Sequence, residues 1–586
     1  MRRRVRGFAI VVVLFAALVP AVSARGATGG VARPLPLERL FDNRAVSDDS
    51  VPAAADFDDS GASLSAQDLT AAGWTPGRTL TVQGARLTWP RRQPGEPDNV
   101  RADGQSVRLR GRGDALAFLV AGTDGADVSG AGSVSYTNGT RSWYRLTAPD
   151  WRTGPLPTKA VALPHINTPT GQLGRPARLY VVTVPLAAGR AVSSVRLPRA
   201  VGMHVFSVTV RASGQGWTGS WAAASSGYAA VGPWSDRTLR LVVHTSVGGP
   251  RVRLRFDNTF AAAPLRIGSA TVAVQTAGAA AREVPVPVSF GVSAGVEVPA
   301  GAEAFSDPLS FAVPADTNLL VSFHLPDTVA AAPVHRVAVQ RSYLSVPGDH
   351  AAESSGASYT TTLTSWPLLT GVDVSDGPGS VVVDGDSITD GTMSTQDANR
   401  RWPDVLARRL LEQDAVPRYG VLNEGISGNR VVTDSYPGDG VSTSTGGVSA
   451  LHRFDRDVLA QASARTVIVF EGVNDVRWQS TAEEVIAGLR DLAERGHARG
   501  LRMLVATILP CEGEVRCTAT VDAERVAVNG WIRDTDAFDG VLDFDVLVRD
   551  PAHPTRMLPA YDSGDHLHPG DAGLAALAQS VDLRLL

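Results

Sequence analysis

Four short polar segments in the C-terminal part of the sequence hold side chains suited to nucleophilic catalysis. They are residues 384–389 (DGDSIT), 423–429 (NEGISGN), 471–475 (EGVND) and 562–569 (DSGDHLHP). Serine is a weak nucleophile at neutral pH and needs a base, which a histidine held by a carboxylate supplies. Glycine lets backbone N–H groups approach a developing oxyanion, and an amide side chain is a further donor. The segments therefore contain the residue types that catalysis by serine requires.

Ser387 stands where a predicted strand ends and a helix begins. A serine there faces backbone N–H groups and the positive end of the helix dipole. The alternative is that Ser387 only caps the helix. The segment is not the G-x-S-x-G turn of α/β-hydrolases, because Thr389 replaces the second glycine. A calcium loop is also excluded, because Ile388 occupies a ligand position and Thr395 stands where a bidentate glutamate belongs.

Strands and helices alternate in the part of the chain that carries these segments. Apolar runs predict strands at 381–383, 419–423, 466–470, 501–507 and 541–543. The spacing of apolar residues predicts helices at 399–412, 448–460, 481–499, 521–534 and 572–583. Apolar strands separated by helices predict a parallel sheet covered on both faces. Such a sheet binds ligands at the carboxyl ends of its strands, which is where the polar segments begin.

Residues 36–375 follow a different pattern. Runs rich in valine and aromatic residues, such as LYVVTV at 179–184 and TLRLVVHTSV at 238–247, are separated by clusters of Gly, Pro, Asn and Asp. This pattern is typical of β-sandwiches. A small-residue stretch at 212–216 predicts a boundary between two β domains, at 36–213 and 216–375, with a third domain at 376–586.

Taken together, the four polar segments resemble the four sequence blocks of the SGNH (GDSL-type) hydrolases. The signature of that family is Ser, Gly, Asn and His in this chain order, and the similarity covers residues 381–586. It implies a flavodoxin-like three-layer α/β/α sandwich, in agreement with the alternation of strands and helices. It also implies a serine esterase that works through an acyl-enzyme, with no metal and no organic cofactor.

The same resemblance assigns roles residue by residue. Ser387 matches the nucleophile of the family. The backbone N–H groups of Ser387 and Gly428 and the side-chain amide of Asn474 match its oxyanion hole. Asp565 and His568 match its D-x-x-H block and would complete the triad.

His566 is the rival base, because it lies two residues before His568. With His566 as the base, Asp565 would be directly adjacent in sequence and could not fold back onto the ring, so His568 is favoured. Asp562 is an alternative acid, but its spacing to His568 is too long for the motif.

The first residues predict export. Arg2, Arg3, Arg4 and Arg6 precede an apolar run at 8–22 and the small residues at 22–24, a pattern that predicts a signal peptide at 1–24 and a secreted protein. An uncleaved anchor is less favoured, because the run is short for a bilayer and contains Pro20. Either the general or the twin-arginine export route is open. No stable membrane span is expected in the mature chain.

Charge and cysteine content exclude further classes. The 55 basic and 59 acidic residues give a net charge of −4 without a basic block, which excludes nucleic acid as a partner. Cys511 and Cys517 form a plausible local disulfide in an oxidising compartment, with free thiols as the alternative. No group of residues has the spacing of a catalytic metal site. Calcium binding is an alternative for the acids near the N-terminus, but surface charges are the more common explanation: Asp42, Asp48, Asp49, Asp56, Asp58 and Asp59.

The β region also resembles known modules. Residues 216–366 are similar to the β-sandwich that precedes the catalytic part of many secreted actinobacterial SGNH esterases. Segments of the first domain resemble accessory β-sandwiches of secreted glycoside hydrolases, which implies carbohydrate binding, with a rigid spacer as the alternative. Acetyl or short acyl esters on a polysaccharide are therefore the expected substrates. A lipid acylhydrolase, or a carbohydrate-binding protein with a silent hydrolase domain, are the alternatives.

Overall fold

The computed structural model describes residues 33–586 except 213, 215 and 445. The predicted signal peptide at 1–24 lies outside the described residues. Two β-rich regions precede an α/β domain with a parallel sheet, so the predicted fold class is confirmed.

The first β region is built from two facing sheets. Their apolar faces share one core, in which Phe118 and Tyr144 pack together at 5.6 Å between ring centroids. The five-stranded sheet has the order Lys159–Leu163, Ala177–Pro185, Ala115–Gly122, Arg199–Arg211, Val100–Asp103. The four-stranded sheet has the order Ser106–Gly111, Val192–Arg196, Val128–Tyr136, Arg141–Ala148. A smaller sheet contains Val46–Ser47, Ser63–Ser65, Ile166–Thr168 and Gly171–Leu173, next to a helix at Ala66–Ala71.

The second β region also has facing sheets around one core, which includes Phe256 and Phe323. One sheet contains Trp217–Ala222, Leu369–Ser375, Val252–Asp257 and Glu303–Phe305 in this order. The opposite sheet contains Ala280–Ala281, Ser269–Ala277, Thr317–Leu325, Arg237–Thr245, Ser342–Pro347 and Thr361–Leu363, and Val286–Pro287 also pairs with Ser269–Ala277. A small three-stranded sheet contains Tyr228–Trp234, Val329–His335 and Trp366–Pro367. A two-stranded sheet contains Leu265–Ile267 and Val296–Val298.

One hairpin crosses between the two β regions. The strands Thr79–Val82 and Ala85–Thr88 belong to the first region in sequence, but they extend the sheet of the second region, where Thr81 pairs with Glu303. The indole N–H of Trp74 also donates to the Ala300 carbonyl, at 2.9 Å. The two β regions are therefore joined by sheet pairing as well as by the chain.

The α/β domain contains a five-stranded parallel sheet. The strands are β1 (Ser380–Gly385), β2 (Gly420–Gly425), β3 (Ala464–Phe470), β4 (Arg502–Ala506) and β5 (Gly540–Leu542). Their spatial order is β2-β1-β3-β4-β5, and all neighbours pair in parallel. The order reverses at β1, so the crevice at the carboxyl end of β1 is a topological switch point, where ligands bind in such sheets.

Helices cover both faces of this sheet. They are α1 (Ser387–Asp390), α2 (Trp402–Leu411), α3 (Ala450–Arg453), α4 (Val473–Arg477), α5 (Ala482–Ala498), α6 (Ala519–Asp534), α7 (Phe544–Val548) and α8 (Asp571–Ser580). α2 and α8 bury leucines against one face, and α5 and α6 pack against the other. The helix predicted at 448–460 is shorter than expected: α3 leads into one wide turn, Phe454–Val458, in which the Leu459 N–H donates to the Phe454 carbonyl at 2.9 Å.

The second β region packs closely against the α/β sheet. The Gly219 N–H donates to the Ser380 hydroxyl at 3.0 Å, and the Val421 N–H donates to the Ser246 hydroxyl at 2.9 Å. A Cβ atom at Gly420 would clash with the Gly219 carbonyl oxygen, so this approach of the two backbones requires glycine. β1 and β2, which lead into the candidate site, are thus supported by the sandwich.

Candidate active site

Ser387 is the first residue of α1, directly after β1 and the buried Asp386. The Asp386 carboxylate caps the helix by accepting the Ile388 N–H at 2.9 Å. Burial raises the pKa of Asp386 to about 7, although the Ile388 bond and Arg477 act in the opposite direction. The helix ends after one turn at Gly391, whose φ of 96° favours glycine. This strand-to-helix turn places Ser387 at the carboxyl edge of the sheet.

His568 and Asp565 meet Ser387 from the far end of the chain. The His568 Nε2 atom lies 2.8 Å from the Ser387 Oγ atom, across 181 residues of sequence, and His568 Nδ1 lies 2.6 Å from Asp565 Oδ2. The second oxygen of Asp565 accepts the N–H groups of Leu567, at 3.0 Å, and of His568, at 2.8 Å. Burial alone would raise the pKa of Asp565, but these hydrogen bonds lower it to about 2. The carboxylate is therefore charged when it holds the imidazole.

His566 has a partner of its own. Its Nδ1 atom lies 2.6 Å from Asp562 Oδ2, and its N–H donates to Asp562 Oδ1 at 3.0 Å. The side chain is 52% exposed. The structure therefore forms two aspartate–histidine pairs in the 562–569 segment, and it places the one formed by Asp565 and His568 against Ser387.

Gly428 lies on the loop that follows β2, and Asn474 is the second residue of α4, which follows β3. Gly428 has a φ of 83°, in the left-handed region that favours glycine. The Asn474 amide nitrogen donates to the Asn429 carbonyl at 3.0 Å, which ties α4 to the loop after β2. The amide oxygen of Asn474 accepts from Arg477 at 2.9 Å. Because an amide nitrogen has two hydrogens, one is available for a substrate oxygen.

A disulfide loop supports Arg477. Cys511 and Cys517 are bonded, with their Cα atoms 5.7 Å apart, and they close a loop that contains Glu514. Glu514 forms an ion pair with Arg477 at 3.0 Å. A Cβ atom at Gly513 would lie 2.7 Å from the His566 ring, so the same loop reaches the histidine segment. The loop therefore connects α4 with the segment that carries the histidines.

Sequence reasoning missed a buried arginine beneath the site. Arg453 is fully buried and forms an ion pair with Asp384 at 2.5 Å. It donates to the Glu424 carbonyl at 2.7 Å and to the Asn429 amide oxygen at 2.9 Å, and it lies 3.5 Å from Glu471. It therefore joins the ends of β1, β2 and β3. The segment around it (HRFDRD) has the composition of a surface helix, so no sequence signal identifies its burial.

Asp475 is a second residue that sequence reasoning did not assign. Its carboxylate accepts the N–H groups of Val431, at 2.8 Å, and of Val432, at 3.1 Å. Burial raises the pKa of Asp475 despite these bonds. Asp475 thereby fixes the chain just after the Gly428 loop. Its position next to Asn474 was a signal that could have drawn attention to it.

An exposed aromatic side chain and two arginines lie next to these loops. Trp478 follows α4 and is 53% exposed. The guanidinium of Arg516, in the disulfide loop, lies 3.9 Å from the indole centroid, and that of Arg430 lies at 6.0 Å. We call Arg430, Trp478 and Arg516 the rim. It offers an apolar surface together with hydrogen-bond donors.

The described residues contain no group of three or more His, Cys, Asp or Glu side chains that could hold a metal ion. Among the acids near the N-terminus, Asp58 pairs with Arg152 at 2.5 Å, and Asp59 pairs with Arg101. No helix in the described residues 33–586 has both the length and the apolar character of a membrane span.

Comparison with known proteins gives two family matches. Residues 384–576 match the GDSL-like lipase/acylhydrolase family, and residues 31–214 match the AziU2-like β-sandwich domain. No curated protein matches the chain. Similar solved structures include a lipolytic G-D-S-L family protein from Desulfitobacterium hafniense DCB-2 (22% identity, TM-score 0.28, 35% of this chain and 99% of the other). Another is a catalytic mutant of an acetylxylan esterase from Geobacillus stearothermophilus (20% identity, TM-score 0.27, 35% and 92%).

Proposed function

Since the C-terminal domain is a GDSL-like lipase/acylhydrolase domain, and the protein is thus a carboxylic ester hydrolase, we propose that it cleaves esters through an acyl-enzyme on Ser387. The observation that carries this proposal is the continuous contact from Ser387 Oγ to His568 Nε2, at 2.8 Å, and from His568 Nδ1 to Asp565, at 2.6 Å. Both distances are within the range that proton transfer needs.

In the first half-reaction, His568 Nε2 takes the hydroxyl proton while Ser387 Oγ attacks the ester carbonyl carbon. The carbonyl oxygen becomes an oxyanion, which we assign to the N–H groups of Ser387 and Gly428 and to the Asn474 amide. When the bond to the leaving oxygen breaks, His568 returns the proton to it and the alcohol departs. Water then attacks the acyl-enzyme in the same way and releases the carboxylic acid and Ser387.

Four single variants and one double variant test these roles on one short-chain nitrophenyl ester. Ser387→Ala and His568→Ala should each lower kcat by several orders of magnitude, and their double variant should be hardly worse, because the two residues act as one unit. Asp565→Asn should cost less, since the base survives in a poorer tautomer. His566→Ala, the matched control, should cost about tenfold or less. Circular dichroism checks the fold of each variant.

Two results would contradict this assignment. Wild-type turnover in Ser387→Ala would show that another group is the nucleophile. A dead His566→Ala variant together with an active His568→Ala variant would show that the Asp562–His566 pair is the catalytic one. Loss of folding in any variant would instead be visible in its circular dichroism spectrum.

For the substrate, we propose acetyl or other short acyl esters on carbohydrate. The rim supports this choice, because the half-exposed indole of Trp478 offers a flat surface for a sugar ring and its two arginines offer donors to hydroxyl oxygens. Hydrolysis of acetylated polysaccharides is compared with that of nitrophenyl esters of graded length. Trp478→Ala should raise KM for the polysaccharide and change KM for the nitrophenyl ester little. A preference for long acyl chains would favour the lipid alternative.

We further propose that the first β region binds polysaccharide. Its supporting feature is Trp143, which is 73% exposed on the strand Arg141–Ala148, between the exposed Arg141 and Arg145. Retardation of the protein in gels that contain polysaccharide tests this role. Trp143→Ala should abolish retardation and leave kcat unchanged, whereas retardation of that variant at the wild-type level would favour a spacer. A chain that binds polysaccharide but has no activity on any ester would favour the silent-domain alternative.

Export is proposed from the sequence alone. The arginine-rich start and the apolar run support secretion with cleavage after about Ala24. N-terminal sequencing of protein from the culture medium should begin near Arg25. Protein found only in the membrane fraction, with its N-terminus intact, would favour an anchor.

A further inference from the structure

A histidine of the second β region reaches into the α/β domain. His335 is the last residue of the strand Val329–His335 and is 4% exposed. Its Nε2 atom lies 3.0 Å from the Oδ1 atom of Asp390, the last residue of α1. Both side chains are 3% exposed, and the imidazole packs on Trp366 at 5.3 Å between ring centroids. This contact is therefore buried, and it joins the sandwich to the helix that Ser387 begins.

Both ring nitrogens of His335 face acceptors. Nδ1 lies 2.9 Å from the Ala224 carbonyl, and Nε2 also lies 3.2 Å from the Val337 carbonyl. A neutral imidazole has one N–H and satisfies one side, whereas an imidazolium satisfies both. Burial acts to lower the pKa of His335, but the Asp390 carboxylate and the Ala224 carbonyl outweigh it and raise that pKa. Protonation of His335 would make this contact an ion pair.

Further charges face this pair from α2 and its N-terminus. The Arg401 Nε atom donates to the Asp390 carbonyl at 2.9 Å, and its guanidinium lies 5.4 Å from the Trp366 ring. Arg401 is itself paired with Asp404 at 3.4 Å. The positive charge of Arg401 acts against protonation of His335. The carboxylate of Asp390 is nevertheless the partner in direct contact with the ring.

The other oxygen of Asp390 holds the loop after β2. Asp390 Oδ2 accepts the Ser427 N–H at 2.9 Å and the Ser427 hydroxyl at 2.6 Å. The hydroxyl of Thr392 lies a further 3.0 Å from that of Ser427. The residue after Ser427 is Gly428, whose N–H we assign to the oxyanion hole. One carboxylate therefore contacts the sandwich on one side and the oxyanion loop on the other.

We propose that His335 is a positioning residue for the oxyanion hole, acting through Asp390 on Ser427 and Gly428. This inference rests on the proposed function. Without the His335 ring, Asp390 is a buried carboxylate that has lost its partner on the sandwich side. It then reorients or takes up a proton, and its hold on the Ser427 N–H weakens in either case. The second β region is, in this view, a part of the catalytic unit.

His335→Gln is the direct test, and His244→Gln is its matched control. His244 lies at the same interface, where its ring contacts Asn399 of the α/β domain at 3.0 Å and Asp316 of the sandwich at 2.9 Å. Its hydrogen bonds do not involve the 426–429 loop. We measure kcat and KM on a short-chain nitrophenyl ester. We also measure the affinity for an alkyl boronic acid, which forms a tetrahedral adduct on a serine nucleophile.

His335→Gln should lower kcat by about tenfold to a hundredfold and change KM less than about twofold. It should weaken boronic acid binding by about the same factor by which it lowers kcat. His244→Gln should change each of these quantities by less than about twofold. A lower kcat and a weaker boronic acid affinity at nearly unchanged KM would indicate a positioning role for His335. A residue that contributes only to stability would lower Tm and leave kcat and boronic acid affinity intact in the folded protein.

Ser427→Ala keeps the inference testable if His335→Gln fails to fold. This substitution removes the hydrogen bond from the Ser427 hydroxyl to Asp390, the shorter of the two, and leaves the contact between Asp390 and His335 in place. It should lower kcat by about threefold to tenfold. In the His335→Gln background it should cost little more, because both changes affect one linkage.

The inference is overturned if folded His335→Gln has wild-type kcat and boronic acid affinity, or if His244→Gln loses as much of either. Wild-type kcat in Ser427→Ala overturns it as well. Activity of Ser387→Ala at the wild-type level would instead contradict the proposed function.

Discussion

Removal of the Arg477 guanidinium should impair catalysis through Asn474. In the structure, Arg477 donates to the Asn474 amide oxygen at 2.9 Å, and the amide nitrogen donates to the Asn429 carbonyl at 3.0 Å. These two bonds fix which end of the amide faces the site. The variant Arg477→Met keeps much of the side-chain volume and removes the charge and the donors, so the amide becomes freer to rotate.

The magnitude follows from two limits. Complete removal of the amide in Asn474→Ala should cost about 2.7–4 kcal/mol in transition-state stabilisation, which is a loss of about a hundredfold to a thousandfold in kcat. A hydrogen bond from a charged donor contributes about 1.5–3 kcal/mol, and Arg477→Met loses at most that contribution. Since the Asn429 carbonyl still favours the native orientation, we expect a loss near the lower end, about tenfold.

The assay is kcat on a short-chain nitrophenyl ester, with circular dichroism for the fold. Arg418→Met is the matched control, because Arg418 forms a comparable 2.8 Å pair with Asp414 on the surface. The double variant of Arg477→Met and Asn474→Ala should be no slower than Asn474→Ala alone. Wild-type kcat in Arg477→Met would show that the amide is held without the guanidinium, and multiplicative losses would show that Arg477 acts elsewhere.

Two further predictions concern the disulfide and the first β region. Replacing both Cys511 and Cys517 by serine should lower kcat several-fold at unchanged secondary structure, because Glu514 loses its fixed position against Arg477; unchanged kcat would contradict this. Burial raises the pKa of Asp98 to about 7, so the folded state binds this proton more tightly than the unfolded state. The unfolding free energy of the wild type minus that of Asp98→Asn should therefore fall as pH rises from about 4 to about 7 and then level off. Urea unfolding of both proteins at several pH values measures this difference. A difference that stays constant with pH would refute the prediction.

The sequence was sufficient to predict the α/β sheet and the segments at its strand ends. The apolar runs at 381–383 and 466–470 form parts of β1 and β3, and both strands lead into polar segments as expected. The turn chemistry is local, so Ser387 at a strand-to-helix junction could be recognised without tertiary information. The contact between Ser387 and His568 could not be derived from spacing, and it was expected from the family resemblance.

Other features depend on tertiary contacts that leave little trace in the sequence. The hairpin Thr79–Thr88 has ordinary strand character, and only the packed structure shows that it extends the sheet of the second β region. The segment around Arg453 has the composition of an exposed helix, but its arginine is buried because the carboxylates of Asp384 and Glu471 and the carbonyl of Glu424 converge on it. The contact of His335 with Asp390 joins residues of different domains, so local sequence does not predict it.

Burial of Arg453 explains why acidic residues end the central strands without facing the substrate. A buried guanidinium costs free energy unless carboxylates and carbonyls surround it, and removal of one partner of such a group is strongly destabilising. Burial raises the pKa of Asp384 to about 6 and that of Glu471 well above its ordinary value, and the charge of Arg453 opposes both shifts. The cluster therefore has a stable ionised form only while the ends of β1 and β3 stay in place around the guanidinium. Because Ser387 follows β1 and Asn474 follows β3, this electrostatic requirement also fixes the separation between the proposed nucleophile and the amide donor of its oxyanion hole.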